Sequence, residues 1–167
     1  EEEQFPSLEK GDLLHRILYE YFDQRRGRHQ ISNCDDQEFA AELEDLLTIA
    51  QNHLNKLPYS GLFWEIEKER ILGDELREGI LPRFLTQERN RCLEVKPKFF
   101  EAAFGQIGRG QDFADRELVS PESIQIGDVN LFGKIDRIEL GEDIFVIGDY
   151  KTGKQIPRIT DIVEGRS

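Results

Sequence analysis

Two runs rich in β-branched and aromatic residues, 129–140 and 144–150, are separated by the turn-forming cluster Gly141-Glu142-Asp143. A turn cluster between two such runs predicts an antiparallel hairpin. Side chains alternate across a strand, so Phe132, Lys134, Asp136 and Ile138 share one face of the hairpin with Ile147, Asp149 and Lys151. With Glu142 and Asp143 as the two loop residues, Asp136 lies opposite Asp149, their Cβ atoms roughly 5 Å apart. A three-residue loop would shift that opposition by one.

Facing carboxylates repel unless one is protonated or a cation lies between them. A divalent metal accounts for the pair economically. The plainer alternative is a polar hairpin face on which Lys151 neutralises one carboxylate. The apolar run at 144–147 places Asp149 at the exit of a buried strand, where active-site groups are often carried.

The pattern GxxD, here Gly133-Lys134-Ile135-Asp136, followed by Asp149-Tyr150-Lys151, resembles the PD-(D/E)xK nuclease superfamily. More closely, it is similar to the RecB-type nuclease domains at the C-terminal end of AddB and RecB recombination subunits and to their Cas4 relatives. Two smaller signatures of that family stand in the same order. GxxxH is present as Gly11-Asp12-Leu13-Leu14-His15, and E..FG as Glu101-Ala102-Ala103-Phe104-Gly105.

The resemblance implies a restriction-endonuclease-like α/β fold, a mixed sheet with a catalytic hairpin flanked by an N-terminal helical region. It also implies Mg²⁺ or Mn²⁺ held by Asp136, Asp149, the Tyr150 backbone carbonyl and His15, with Glu101 a further candidate. Oxygen donors suit these hard cations, and an imidazole makes Mn²⁺ acceptable. Lys151 would orient the attacking water and offset phosphoryl charge. The implied activity is metal-dependent hydrolysis of DNA, with exonucleolytic processing of broken ends beside a helicase partner.

Other readings stay open beside it. One is a non-catalytic DNA-binding or scaffolding module of the same fold. Another is a Cas4-like nuclease, which would want a cluster-binding set of cysteines that Cys34 and Cys92 do not provide. Their spacing fits neither a disulfide framework nor a zinc motif, so they are expected to be ordinary thiols. An iron–sulfur cluster is not supported by this segment and not excluded in a longer chain.

The 167 residues suit a single domain, mainly helical over 1–95 and mainly sheet over 96–167. The chain starts at Glu1 and has no Met, which suggests an excised segment. It ends at Ser167, where the resemblance would place the start of a helix bearing a QxxxY motif. The expectation is therefore a domain truncated before one wall of its site. No apolar run approaches a membrane span or a secretory signal, and a cytoplasmic location is expected.

The net charge of −12 argues at first against a nucleic-acid partner. Residues 1–95 hold 12 Lys and Arg against 21 Asp and Glu, and residues 96–167 hold 10 against 13. The acidity thus belongs mostly to the helical half, and a bound cation would invert the local sign at the site.

The helical half reads as follows. Ser7 is the expected N-cap of a helix to about Arg26, with Leu13, Leu14, Ile17, Leu18, Tyr21 and Phe22 as its apolar stripe and His15 at the stripe's edge. Arg25, Arg26 and Arg28 either favour the helix C-terminus or touch a DNA backbone. A loop over 29–36 leads to a capping box at Asp35 and Glu38 and a second helix to about Asn55. Residues 62–91 form helices broken near Gly73, Gly79 and Pro82, with Phe63 and Trp64 in the core.

Residues 98–108 are expected to be extended, with Glu101 either completing the acidic cluster or solvated. A flexible polar connection follows over 108–123, and residues 124–126 are read as the beginning of the hairpin's first strand. Past the hairpin, Lys154 and Arg158 are either phosphate contacts or solvated loop cations.

Overall fold

Helical periodicity in the first half of the chain is realised as four helices. In the computed structural model, residues 5–91, 94–105, 114–115 and 117–151 are described. Helix α1 spans Ser7–Gln24 and buries all six residues of its stripe. Pro6, rather than Ser7, occupies its N-cap position, and no side chain caps it. Proline's fixed φ suits the extended residue before a helix.

A 3-10 turn, Ile31–Asn33, lies in the expected loop and buries Ile31. Helix α2, Asp36–Leu54, opens on the expected capping box: the Asp35 carboxylate accepts from Gln37 N and Glu38 N, and Glu38 accepts from Asp35 N. Helices α3, Leu62–Leu72, and α4, Ile80–Arg89, are separated by a corner closed through Gly73 and Glu78. Trp64 joins the core as expected, but Phe63 is 48 % exposed. Adjacent helical positions diverge by about 100°, so both cannot face the same way.

The strands follow. β1, Lys96–Phe104, runs parallel to β2, Val119–Ser120, and antiparallel to β5, Gly133–Leu140, which pairs antiparallel with β6, Phe145–Gly148. The order is β2-β1-β5-β6, a mixed sheet against which α1 packs through β1. Phe100 reaches from β1 into the helical core and stacks on Phe22 of α1, ring centroids 4.6 Å apart.

Several expectations about the sheet need correction. Residues 124–126 do not begin the β5–β6 hairpin, and 129–131 are not part of its first strand: β3, Ile124–Ile126, pairs with β4, Val129–Leu131, in a separate two-stranded ribbon. Gly127, at φ +60°, supplies the tight turn that folds that ribbon back on itself. The run at 144–147 is not buried either. Ile144, Phe145 and Ile147 are all more than half exposed; among the described residues β6 is the outermost strand of its sheet and pairs only with β5, and nothing described covers these side chains. Within the expected connection over 108–123, the short strand β2 pairs with β1.

The hairpin register agrees with the two-residue loop. Arg137 pairs with Gly148 and Leu140 with Phe145, and Gly141 N donates to Ile144 O at 2.7 Å. The ladder stops at Gly148, one residue before Asp149.

Candidate metal centre

Three of the expected ligands converge from three elements. His15 projects from the middle of α1, Glu101 from β1 and Asp136 from β5, with one donor atom of each lying within 4.8 Å of the others. The pairing of Phe100 with Arg137 and of Ala102 with Ile135 brackets Glu101 and Asp136, placing them opposite each other on neighbouring strands.

Glu101 has φ +55°, the single positive φ among the described non-glycine residues. A left-handed residue inside a strand interrupts the ladder and re-aims its own side chain, at a cost of roughly 1–2 kcal/mol. The Glu101 carboxylate is nevertheless buried, with His15 Nδ1 2.9 Å from one oxygen and Lys134 Nζ 3.3 Å from the other.

His15 Nδ1 is also 3.6 Å from Asp136 Oδ1. The second Asp136 oxygen accepts from the Tyr150 backbone N–H at 2.6 Å. That bond ties the chain just past β6 to the centre. The Tyr150 ring then packs edge-on against His15 and Phe84, both centroids 5.7 Å away.

Electrostatics follow from this crowding. The hydrogen bond with Glu101 raises the His15 pKa above its ordinary value, with the charges of Asp136 and Glu101 adding to it against the opposing effect of burial. Burial raises Asp136, reinforced by Glu101 and Asp149 and opposed by the Tyr150 N–H and His15. The cluster therefore has an appetite for positive charge, as a proton or as a metal ion.

Asp149 and Lys151 stand apart from these three. They form an ion pair with each other at 2.8 Å, and both side chains are more than half exposed. That bond raises the Lys151 pKa. Asp149 is close enough to Asp136 to influence its titration, yet it contributes no atom to the cluster. Lys154 and Arg158 lie outside the described residues, as does Cys92.

The arginines after α1 are held by carboxylates. Arg25 makes a buried bidentate pair with Glu42, and Arg26 binds Asp23 and Asp115. Arg28 lies 3.5 Å from Asp45. Arg25 and Arg26 are thus bound to buried carboxylates, while the Arg28 side chain stays half exposed.

Sequence reasoning missed two features. Lys134 steadies Glu101, and alternation, which puts it two residues from Asp136 on one face, was the available signal. On the opposite face Arg137 and Glu139 are buried and joined to Glu88 and Arg91 of the α4 end. The same alternation points them inward, but nothing local says that a helix bearing Glu88 will meet them.

A family model described as the PD-(D/E)XK nuclease superfamily matches residues 1–165. No curated protein and no solved structure matches the chain.

Proposed function

The chain belongs to the PD-(D/E)XK nuclease superfamily, and from that premise we propose that it is a DNA nuclease dependent on Mg²⁺ or Mn²⁺ held by His15, Glu101 and Asp136. The convergence of these three side chains is the observation that carries the reading. The donor set fits: two buried carboxylates facing each other need a compensating cation, oxygen donors suit both ions, and the imidazole is well tolerated by Mn²⁺. When bound, such an ion polarises a phosphodiester and acidifies a water.

The protein's own groups do the rest. Tyr150 N–H fixes the Asp136 carboxylate and Lys134 fixes that of Glu101, so both are oriented in advance. Asp149, beside Asp136, is a further ligand once it leaves Lys151. The released Lys151 ammonium then lies at the open end of the hairpin, where it offsets charge on phosphoryl oxygens. The order of GxxxH, E..FG, GxxD and DYK favours a RecB-like domain acting on DNA ends beside helicase partners.

Calorimetric titration of Mn²⁺ into wild type, Asp136→Asn and Asp149→Ala, paired with cleavage of linear DNA, tests this. Binding and cleavage should vanish in Asp136→Asn, and cleavage should vanish in Asp149→Ala. Wild-type cleavage by Asp136→Asn would overturn the assignment. The exposed Asp149–Lys151 pair favours a second reading, a non-catalytic module of the same fold. In that case Mn²⁺ binds the three-residue cluster, Asp149→Ala leaves binding unchanged, and the wild-type protein cleaves nothing.

A further inference from the structure

A second group of metal-ligating side chains lies beyond the C-terminal end of α1 and shares no residue with the His15 cluster. We propose that His29, Cys34 and Glu38 form a binding site for a borderline divalent cation, Zn²⁺ in the first instance, that ties the α1–α2 connection to the start of α2.

The geometry is that of a coordination shell before its ion. His29 Nε2 is 3.4 Å from Cys34 Sγ and 3.7 Å from Glu38 Oε2, and all three donor atoms lie within 4.8 Å of one another. Tetrahedral zinc, with bonds of about 2.0–2.3 Å, holds its ligand atoms roughly 3.3–3.6 Å apart. Small side-chain adjustments therefore suffice to close the shell. Nitrogen, sulfur and carboxylate oxygen together are a zinc-type donor set, in contrast to the sulfur-free cluster at His15.

The loop backbone at His29 and Cys34, and the Glu38 side chain itself, are also held by other bonds. The His29 carbonyl accepts from Arg25, whose guanidinium is locked to Glu42. The Cys34 carbonyl accepts from Arg89 of α4, and buried Ile31 anchors the 3-10 turn between the two ligands. Glu38 is oriented by the capping box through Asp35 N. A fixed connecting backbone limits how far the His29 and Cys34 side chains must move to meet Glu38. His29 and Glu38 are half exposed, so the cation has a path in and a fourth position open to water.

Binding takes the Cys34 thiol to thiolate and releases its proton to solvent. Co²⁺, a spectroscopic stand-in for Zn²⁺, gives a thiolate-to-metal charge-transfer absorption only when sulfur is a ligand. It therefore reads this site without interference from the His15 centre. Titration of the metal-free protein with Co²⁺ should give that band, saturating at one thiolate-bound ion per chain, and Zn²⁺ should bleach it. Cys34→Ser should abolish it, while Cys92→Ser and Asp136→Asn should leave it intact. His29→Ala, at a half-exposed position outside the core, should weaken binding at least about tenfold. No band with folded wild-type protein, or a band that survives Cys34→Ser, would overturn the proposal, as would unchanged affinity in His29→Ala.

Discussion

Glu101 concentrates the tension of the molecule in one residue. Its carboxylate faces Asp136 across adjacent strands, and its backbone occupies a region that L-residues avoid. Local strain of this sort persists where the surrounding structure over-determines it, and here the His15 and Lys134 contacts hold the carboxylate. Glycine takes up a positive φ freely, whereas alanine retains the strain without the ligand. Metal-free Glu101→Gly should therefore be about 1 kcal/mol more stable than Glu101→Ala in urea unfolding, and both should lose Mn²⁺ affinity. An alanine variant as stable as the glycine one would show that no strain is stored there.

Glu42 holds the helical half together as Glu101 shapes the site. It accepts from Arg25 and from the buried hydroxyl of Tyr21. Glu42→Ala strands a buried guanidinium, and the expected loss of about 3–5 kcal/mol in unfolding free energy is that of a broken buried ion pair. Acidic residues on a helix usually read as a solvated face. Nothing in the local pattern of α2 sets Glu42 apart from Glu44, since its partner comes from α1.

At the scale of elements, the α3–α4 corner and the hairpin carry most of the positioning. A Cβ at Gly79 would lie 2.3 Å from Gly73 N and 2.5 Å from the Leu72 carbonyl carbon, closer than any side chain can approach backbone. Gly79→Ala should displace α4 and cost about 1–3 kcal/mol, read as a drop in melting temperature. Because Phe84 of α4 supports the Tyr150 ring and Tyr150 N–H holds Asp136, the same variant should also weaken Mn²⁺ binding. Unaltered metal affinity in a destabilised Gly79→Ala protein would uncouple α4 from the centre.

The hairpin register was legible because side-chain alternation and a two-residue turn leave few alternatives. The burial of β6 was not, since an apolar run reads alike in a central strand and at a sheet edge, and strand order is a non-local property.

Across the whole molecule, the acid limb of stability rests on groups outside the metal centre. Burial would raise the Glu42 pKa, but the Arg25 hydrogen bond and charge hold it below its ordinary value. Burial likewise opposes ionisation of Asp115, and bonds from Phe100 N, Arg26, Glu117 N and Leu118 N hold its pKa down. For both, the unfolded chain binds protons more readily than the folded one. Their stabilisation is present above the ordinary carboxylate pKa and is lost as pH falls through the lowered folded values. Unfolding free energy should accordingly decline below about pH 4.5, and Glu42→Gln should flatten part of that decline. An acid limb unchanged in Glu42→Gln would reassign it to other carboxylates.

Periodicity, the capping box at Asp35 and the turn at Gly141-Glu142-Asp143 determine by themselves the helices, the hairpin and its register, because these rest on interactions between near neighbours in the chain. The motif residues His15, Glu101 and Asp136 could likewise be named in advance. The pairing of Asp149 with Lys151, two residues apart, was one of the readings the sequence offered, whereas the convergence of the three motif residues, the exposed β6 edge and the enlistment of Arg25 by Glu42 were decided only in the tertiary structure. Each depends on which distant element supplies the opposite charge or the covering surface, and no local pattern encodes that choice.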